Sequence, residues 1–192
     1  MTQTVTYPEA WRSLDVALTH DWLTGMRGGE KVLELLAAGF PAAPLYCLLH
    51  KPGAVSDVIT RRTIHTSVLQ HVPGVFKHYR YLLPTFPLAM RTLGRVDADL
   101  LISTSHCAAK ALRTTPRTRH LCYCFTPMRY AWTFHDEYFG ASKLKQAVLA
   151  PMLGAMRCWD KANSVGVDRF VGISRHVQQR IEQFYHREAD VV

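Results

Sequence analysis

Short apolar runs alternate with longer stretches of helical period along the whole chain, and no other feature constrains its fold as much. Runs at 16–18, 44–49, 99–103, 120–125 and 169–173 read as strands, and 57–64 can hold another. Between them lie segments with one apolar face. Residues 30–38 carry Val32, Leu33, Leu35 and Leu36, with Glu30 in the first turn, Gly39 past the end and Pro41 as the stop. Residues 66–72 read as a short turn of helix. Residues 76–93 read as helix in pieces broken at Pro84 and Pro87, 105–112 as a helix behind its strand, and 143–161 as a long helix with a bend at Pro151. Ser174 is placed to cap a last helix with Val177, Ile181, Phe184 and Tyr185 on one side. The strands are apolar throughout rather than alternating, the pattern of strands buried on both faces. The expected fold is therefore α/β: a Rossmann-like, doubly wound parallel sheet with helices on both faces, formed as one domain over 1–192. A new strand is expected to begin at Val191 and Val192, so the chain reads as stopping at a boundary.

Composition narrows the class. The chain has 192 residues, of which 48% are hydrophobic and 20% charged, which excludes a disordered tail, a collagen-like repeat and a disulfide-stapled miniature. Lys plus Arg number 23 against 15 Asp plus Glu, a net charge of +8, so a partner bearing negative charge is expected: phosphate, nucleic acid or an anionic membrane surface. The five cysteines include no CxxC pair, and Cys122 and Cys124 fall on one face of a strand, so no metal or redox site is read from them. Residues 1–9 lack a basic segment followed by an apolar one. No apolar stretch approaches the roughly 20 residues of a membrane span. The reading is a reduced, intracellular, cytoplasmic protein.

Four strand ends carry polar or glycine-rich loops. In open α/β sheets the carboxyl ends of the strands border the ligand crevice. After the first strand come Thr19, His20, Asp21 and Trp22, then a turn containing Gly25, Gly28 and Gly29. The paired glycines let a phosphate approach the backbone N–H groups of Gly29, Glu30 and Lys31 at a helix start, or serve only a tight turn. Asp21 either faces the crevice or bonds its own loop. His106 follows Ser103, Thr104 and Ser105, where it can take a proton from a substrate hydroxyl or act structurally. Beyond the run at 120–125, Arg129 suits bidentate binding of phosphate or carboxylate among Tyr130 and Trp132. Trp132, Phe134, Tyr138 and Phe139 form either a ligand wall or a packed aromatic loop. The basic groups Arg61 with Arg62, and Arg113, Arg117 and Arg119, read as solvated faces.

The segments Thr19-His20-Asp21-Trp22-Leu23, Arg27-Gly28-Gly29-Glu30-Lys31, Ser105-His106, Cys122 through Trp132 and Asp168 through Ser174 together resemble the amino-terminal half of family 4 glycosyltransferases of the GT-B fold. Within that family they are most similar to mannosyltransferase-type enzymes of bacterial surface polysaccharide assembly. The resemblance spans residues 16–192 and is most specific at 126–132. It implies one of two Rossmann-like domains facing each other across a cleft, this one on the acceptor side. The carboxyl-terminal domain, which holds the donor and a paired-glutamate motif, is absent from this sequence. The implied reaction is retaining transfer of a sugar, mannose among the candidates, from a nucleotide-diphosphate sugar to a hydroxyl of a lipid-linked or saccharide acceptor. No metal and no cofactor beyond the donor is implied, and no nucleic acid. Acceptors of this kind imply peripheral contact with the inner face of an anionic membrane.

Mapped onto this chain, the resemblance gives Gly28 and Gly29 to the donor diphosphate and Arg129, Tyr130 and Trp132 to the acceptor. His106 and Asp21 are the candidate catalytic pair. Many relatives place a histidine where this chain has Phe125. The competing readings are a non-catalytic anion-binding α/β module acting on a membrane surface or nucleic acid, and a cofactor-binding oxidoreductase domain. The latter lacks both GxGxxG and an acidic residue closing its second strand, where His50 and Lys51 stand instead.

Overall fold

The computed structural model describes residues 8, 11, 13–133 and 143–192. Among the described residues nine strands form two sheets. Seven of them, all parallel, make the main sheet in the order β3 (Ile64–Thr66), β2 (Leu45–Cys47), β1 (Val16–His20), β5 (Leu100–Ser105), β7 (Arg119–Cys124), β8 (Arg169–Gly172) and β9 (Ala189–Val191). Two short strands, β4 (Arg95–Val96) and β6 (Arg113–Thr114), pair in parallel apart from it. The chain leaves β1 in one direction through β2 and β3, then returns to place β5 on the other side of β1. The order therefore reverses between β1 and β5, the position where doubly wound sheets open a crevice. The α/β doubly wound architecture read from the sequence is the one observed.

The central strands are buried on both faces, as continuous apolar runs require: all five residues of β1 and the last five of β5 are inside. Around them pack α1 (Gly28–Gly39), α2 (Asp57–Thr60), α3 (Val75–His78), α4 (Phe86–Thr92), α5 (Arg129–Trp132), α6 (Lys143–Ser164) and α7 (Arg175–Tyr185). On one side Leu33 and Ala37 of α1 close over Val16, Leu18, Leu45 and Ile102. On the other, Leu83, Phe86, Met90 and Met156 cover Ala17 and Leu101. The Ser174 cap forms as read, its Oγ accepting from Val177 N at 3.3 Å, and Val177, Ile181 and Tyr185 line the buried side of α7.

Three local readings are corrected. Residues 57–64 hold the helix α2, with strand only from Ile64. Residues 105–112 hold no α-helix but a single 3₁₀ turn, Ala109–Ala111. The amides that would start a helix there bond to a side chain from β1's loop instead. Arg62 is not a solvated charge. Its guanidinium donates to the carbonyls of Ala37 and Phe40 at the end of α1, of Ala43 just beyond it and of Val58 in α2. Arg117 and Arg119 do lie in solvent, paired with Asp97 and Asp168. The break at Pro84 and Pro87 resolves into a 3₁₀ segment, Tyr79–Thr85, running into α4. All five cysteines are free, and only Cys158 is exposed. Among the described residues no group of His, Cys, Asp and Glu is arranged to hold a metal, and no helix is long and apolar enough to cross a membrane.

Candidate functional site

A cleft of about 710 Å³ opens at the carboxyl edge of the sheet, over the reversal between β1 and β5. Its lining comes from three strand ends and a helix start: His20 and Trp22 at the end of β1, Arg27 to Glu30 at the start of α1, His106 after β5, and Phe125, Arg129 and Tyr130 after β7. Val32, Ile173 and Arg80 complete it. Gly28, Gly29, His106, Arg129 and Tyr130 thus share one cavity. Trp132 does not line it. Its indole Nε1 donates to Asp160 Oδ2 at 2.8 Å, and its ring stacks on Phe184 with centroids 4.7 Å apart. It joins α5 to α6 and α7 rather than facing a ligand. Phe134, Tyr138 and Phe139 lie outside the described residues.

Asp21 and His106 meet across the reversal. The Asp21 carboxylate is wholly buried and accepts five hydrogen bonds. Four come from consecutive backbone amides: His106 (2.7 Å) and Cys107 (3.1 Å) at Oδ2, Ala108 and Ala109 (2.7 Å) at Oδ1. The fifth comes from His106 Nδ1, 2.8 Å from Oδ2. Burial alone would raise the Asp21 pKa, but His106 and the amides outweigh it and hold the carboxyl well below the ordinary range. With every lone-pair direction filled, Asp21 cannot touch a ligand. It acts on His106, fixing the proton on Nδ1 and leaving Nε2 as the nitrogen that can accept. Trp22 holds the same ring edge-on, centroids 4.6 Å apart at 86°. The His106 side chain keeps 18% of its surface exposed, at the cleft.

His20 occupies the cleft floor beside this pair. His20 Nδ1 and Thr104 Oγ1 share a hydrogen bond of 2.8 Å, and Thr104 Oγ1 also lies 3.2 Å from the Thr19 carbonyl. His20 Nε2 then lies 3.9 Å from Glu30 Oε1. Burial pushes the Glu30 carboxyl up, but the His20 ring and the Arg27 amide prevail and its pKa falls. Glu30 thereby tethers the start of α1 to the end of β1.

The two glycines part company here. A Cβ on Gly28 would meet nothing within 4 Å, so its backbone lies open to the cleft. A Cβ on Gly29 would come within 3.2 Å of the Phe125 ring and 3.4 Å of His20, so Gly29 is small because side chains press against it. The Lys31 amide bonds within the helix to the Arg27 carbonyl at 3.0 Å, which removes it from the expected phosphate donors and leaves those of Gly29 and Glu30. Facing them, the Arg129 Nε is buried without a hydrogen-bond partner. The neighbouring Arg180 has its pKa lowered by burial and then by the Arg129 charge, the mark of two guanidinium groups held close together.

Several participants escaped the sequence reading. Arg80 arises from a stretch without a motif. The ammonium of Lys110 and the carboxylate of Asp160 form a buried ion pair behind the cleft, with Trp132 and the Tyr185 hydroxyl (2.7 Å) also donating to Asp160. A lysine and an aspartate fifty positions apart carry no spacing signal.

No family model matches this chain, and no curated protein matches it. Among solved structures it aligns with CalG4, the calicheamicin glycosyltransferase, at a TM-score of 0.35 and 11% identity, over 82% of this chain and 46% of that one. This chain therefore spans about half the length of that structure.

Proposed function

We propose that this chain is the acceptor-side half of a family 4-like glycosyltransferase, moving a sugar, mannose among the candidates, from a nucleotide diphosphate to a hydroxyl of a lipid-linked or saccharide acceptor. One observation carries the reading: a carboxylate-oriented histidine and an arginine whose buried Nε has no hydrogen-bond partner among the described residues share a cleft at the sheet's reversal. In the retaining transfer the acceptor oxygen bonds to the sugar carbon on the face from which the diphosphate departs, His106 Nε2 takes the hydroxyl proton, and Asp21 steadies the imidazolium that forms. The bond from that carbon to the diphosphate breaks. Arg129, with the amides of Gly28 and Gly29 at the positive end of α1, balances the charge on the departing phosphate. Tyr130 borders the acceptor. Phe125 gives the cleft an apolar wall where a polar contact to the sugar is absent. A second Rossmann-like domain closing over the cleft belongs to the proposal, so the isolated chain holds a diphosphate weakly and transfers nothing.

The test is a titration of the chain with pyrophosphate and with GDP, followed by amide chemical shifts. Saturable shifts at Gly28, Gly29 and Arg129 are expected, with Arg129→Ala weakening binding about tenfold or more, the loss of one charge-assisted contact. Absence of saturable binding, an unchanged affinity in Arg129→Ala, or sugar transfer by the isolated chain would each defeat the reading.

A further inference from the structure

A second cavity, of about 350 Å³, opens where β4 pairs β6. Its lining includes Arg95 ahead of β5, Thr115 in the turn into β7 and Gly166 in the turn into β8, so it lies toward the amino edge of the main sheet, the end opposite the cleft. Arg95 and Arg113 are register partners in the two-stranded ladder, and both line this cavity. Like charges placed opposite each other across a ladder repel. Among the described residues no carboxylate pairs with either guanidinium, and Arg113 donates only to the Arg91 carbonyl, at 3.2 Å. Asp97, two positions beyond Arg95, is engaged by Arg117 Nε at 2.6 Å and Thr115 Oγ1 at 2.7 Å. The far wall comes from the end of α6, where bare carbonyls would repel an anion. Arg187 donates to two of them, Ser164 at 2.7 Å and Val165 at 3.5 Å. Asn163, which also lines the cavity, donates from Nδ2 to the Trp159 carbonyl at 2.6 Å and keeps a second amide hydrogen.

We propose that this cavity binds a phosphate group, free or carried by a small organic molecule, between Arg95 and Arg113. An anion there turns a repulsion between two cations into two charge-assisted contacts. Thr114 and Asn163 add neutral donors on the same lining. The volume falls near the lower end of small-molecule sites, which run from about 300 Å³ upward, and holds a phosphate with a compact organic body. A nucleic-acid strand fits poorly, because the described lining contains no aromatic side chain on which a base could stack. None of these residues lines the cleft, so the proposal stands apart from the transferase reading.

Amide chemical shifts of the chain test it, followed against inorganic phosphate and against glucose 6-phosphate with chloride holding the ionic strength at about 0.15 M. Saturable shifts at Thr114, Thr115 and the Asn163 side chain are expected with both probes. Tighter binding of the ester assigns the site to an organic phosphate, and equal binding assigns it to the free ion; either result upholds the site. Arg95→Gln with Arg113→Gln weakens the binding by about tenfold or more. Arg95→Gln alone, which keeps the Arg113 contact to Arg91, weakens it by at least about threefold. Both arginines are exposed, so these variants keep the fold. Arg61→Gln, at an exposed arginine outside the cavity, leaves binding within about twofold. Shifts at these positions that rise without saturating overturn the proposal. So does a loss in Arg61→Gln matching that of the paired variant, or tighter binding of duplex DNA than of either probe at equal phosphate concentration.

Discussion

His106 and Lys110 stand on the same short segment behind β5, and each faces a buried aspartate, but the two pairs are finished differently. Asp21 takes four amides and one ring nitrogen, and its histidine still presents a second nitrogen to the cleft. Asp160 takes an ammonium, an indole and a phenol, all from side chains, and its lysine is 3% exposed with the Cys107 carbonyl as a further acceptor. The Lys110 ammonium also lies 5.1 Å from the centre of the Tyr185 ring. The first arrangement uses burial to orient a titratable group at a surface. The second uses it to join the 3₁₀ turn to α5, α6 and α7, with no acid–base capacity turned toward a ligand. A buried charge pair by itself therefore says little about chemistry, and what decides is whether one partner keeps an unfilled valence facing open space.

Breaking the enclosed pair is expected to have the largest effect. Asp160→Ala strands the Lys110 ammonium together with two buried donors, for a loss of about 3–5 kcal/mol in urea unfolding. Lys110→Met combined with Asp160→Leu should recover part of that loss, because no charge is then left alone. A loss under about 1 kcal/mol in the single variant would remove the contrast drawn above.

Acid separates the two regions next. His120, buried on β7 with Nε2 2.8 Å from Ser103 Oγ, has its pKa pushed down by burial to about 4. The folded state thus prefers the neutral ring. Stability is complete above the unfolded value near 6.5 and falls as pH drops through 6.5 toward 4, by roughly 3 kcal/mol. Asp21, held below its ordinary range, adds stability above the unfolded carboxyl value near 4 and loses it only below that. Urea unfolding from about pH 7 to 4.5 should show the first decline in the native chain and not in His120→Gln. A slope that persists in the variant would assign the decline elsewhere.

The smallest structural effect belongs to the residue of greatest chemical interest. His106→Gln retains a donor toward Asp21 while the four amides remain, so stability should change by less than about 1 kcal/mol, read as a melting shift of a few degrees. Where the chain is joined to a donor-binding partner, the same variant should abolish transfer. A large destabilisation would make His106 a structural group like Lys110.

The apolar runs and the polar strand ends were legible because they obey local rules. β1 and β5 are central strands buried on both faces and open on apolar runs, and their loops follow directly. Legibility failed where the deciding partner was distant in sequence. The stretch 105–112 has helical composition, but the Asp21 side chain claims its amides from eighty-five positions away. Arg62 resembles any surface arginine until α1 ends beside it. The sequence does not show that the Phe125 and His20 rings press against Gly29. Trp132 shows the same lesson: its aromatic neighbours suggested a ligand wall, and Asp160 drew it inward.

The Asp21 carboxylate has one further consequence. It spans the seam where the sheet changes its direction of winding, and it binds the loop of one half to the strand of the other. The floor beneath an incoming molecule is consequently rigid before anything arrives, and the entropy of arranging it is lost when the chain folds. Adaptation to a ligand is left to the walls, the turn at Gly28 and the Arg129 side chain. Rigid-floor, yielding-wall recognition of this kind predicts association governed by how those rims close rather than by any rearrangement of the sheet.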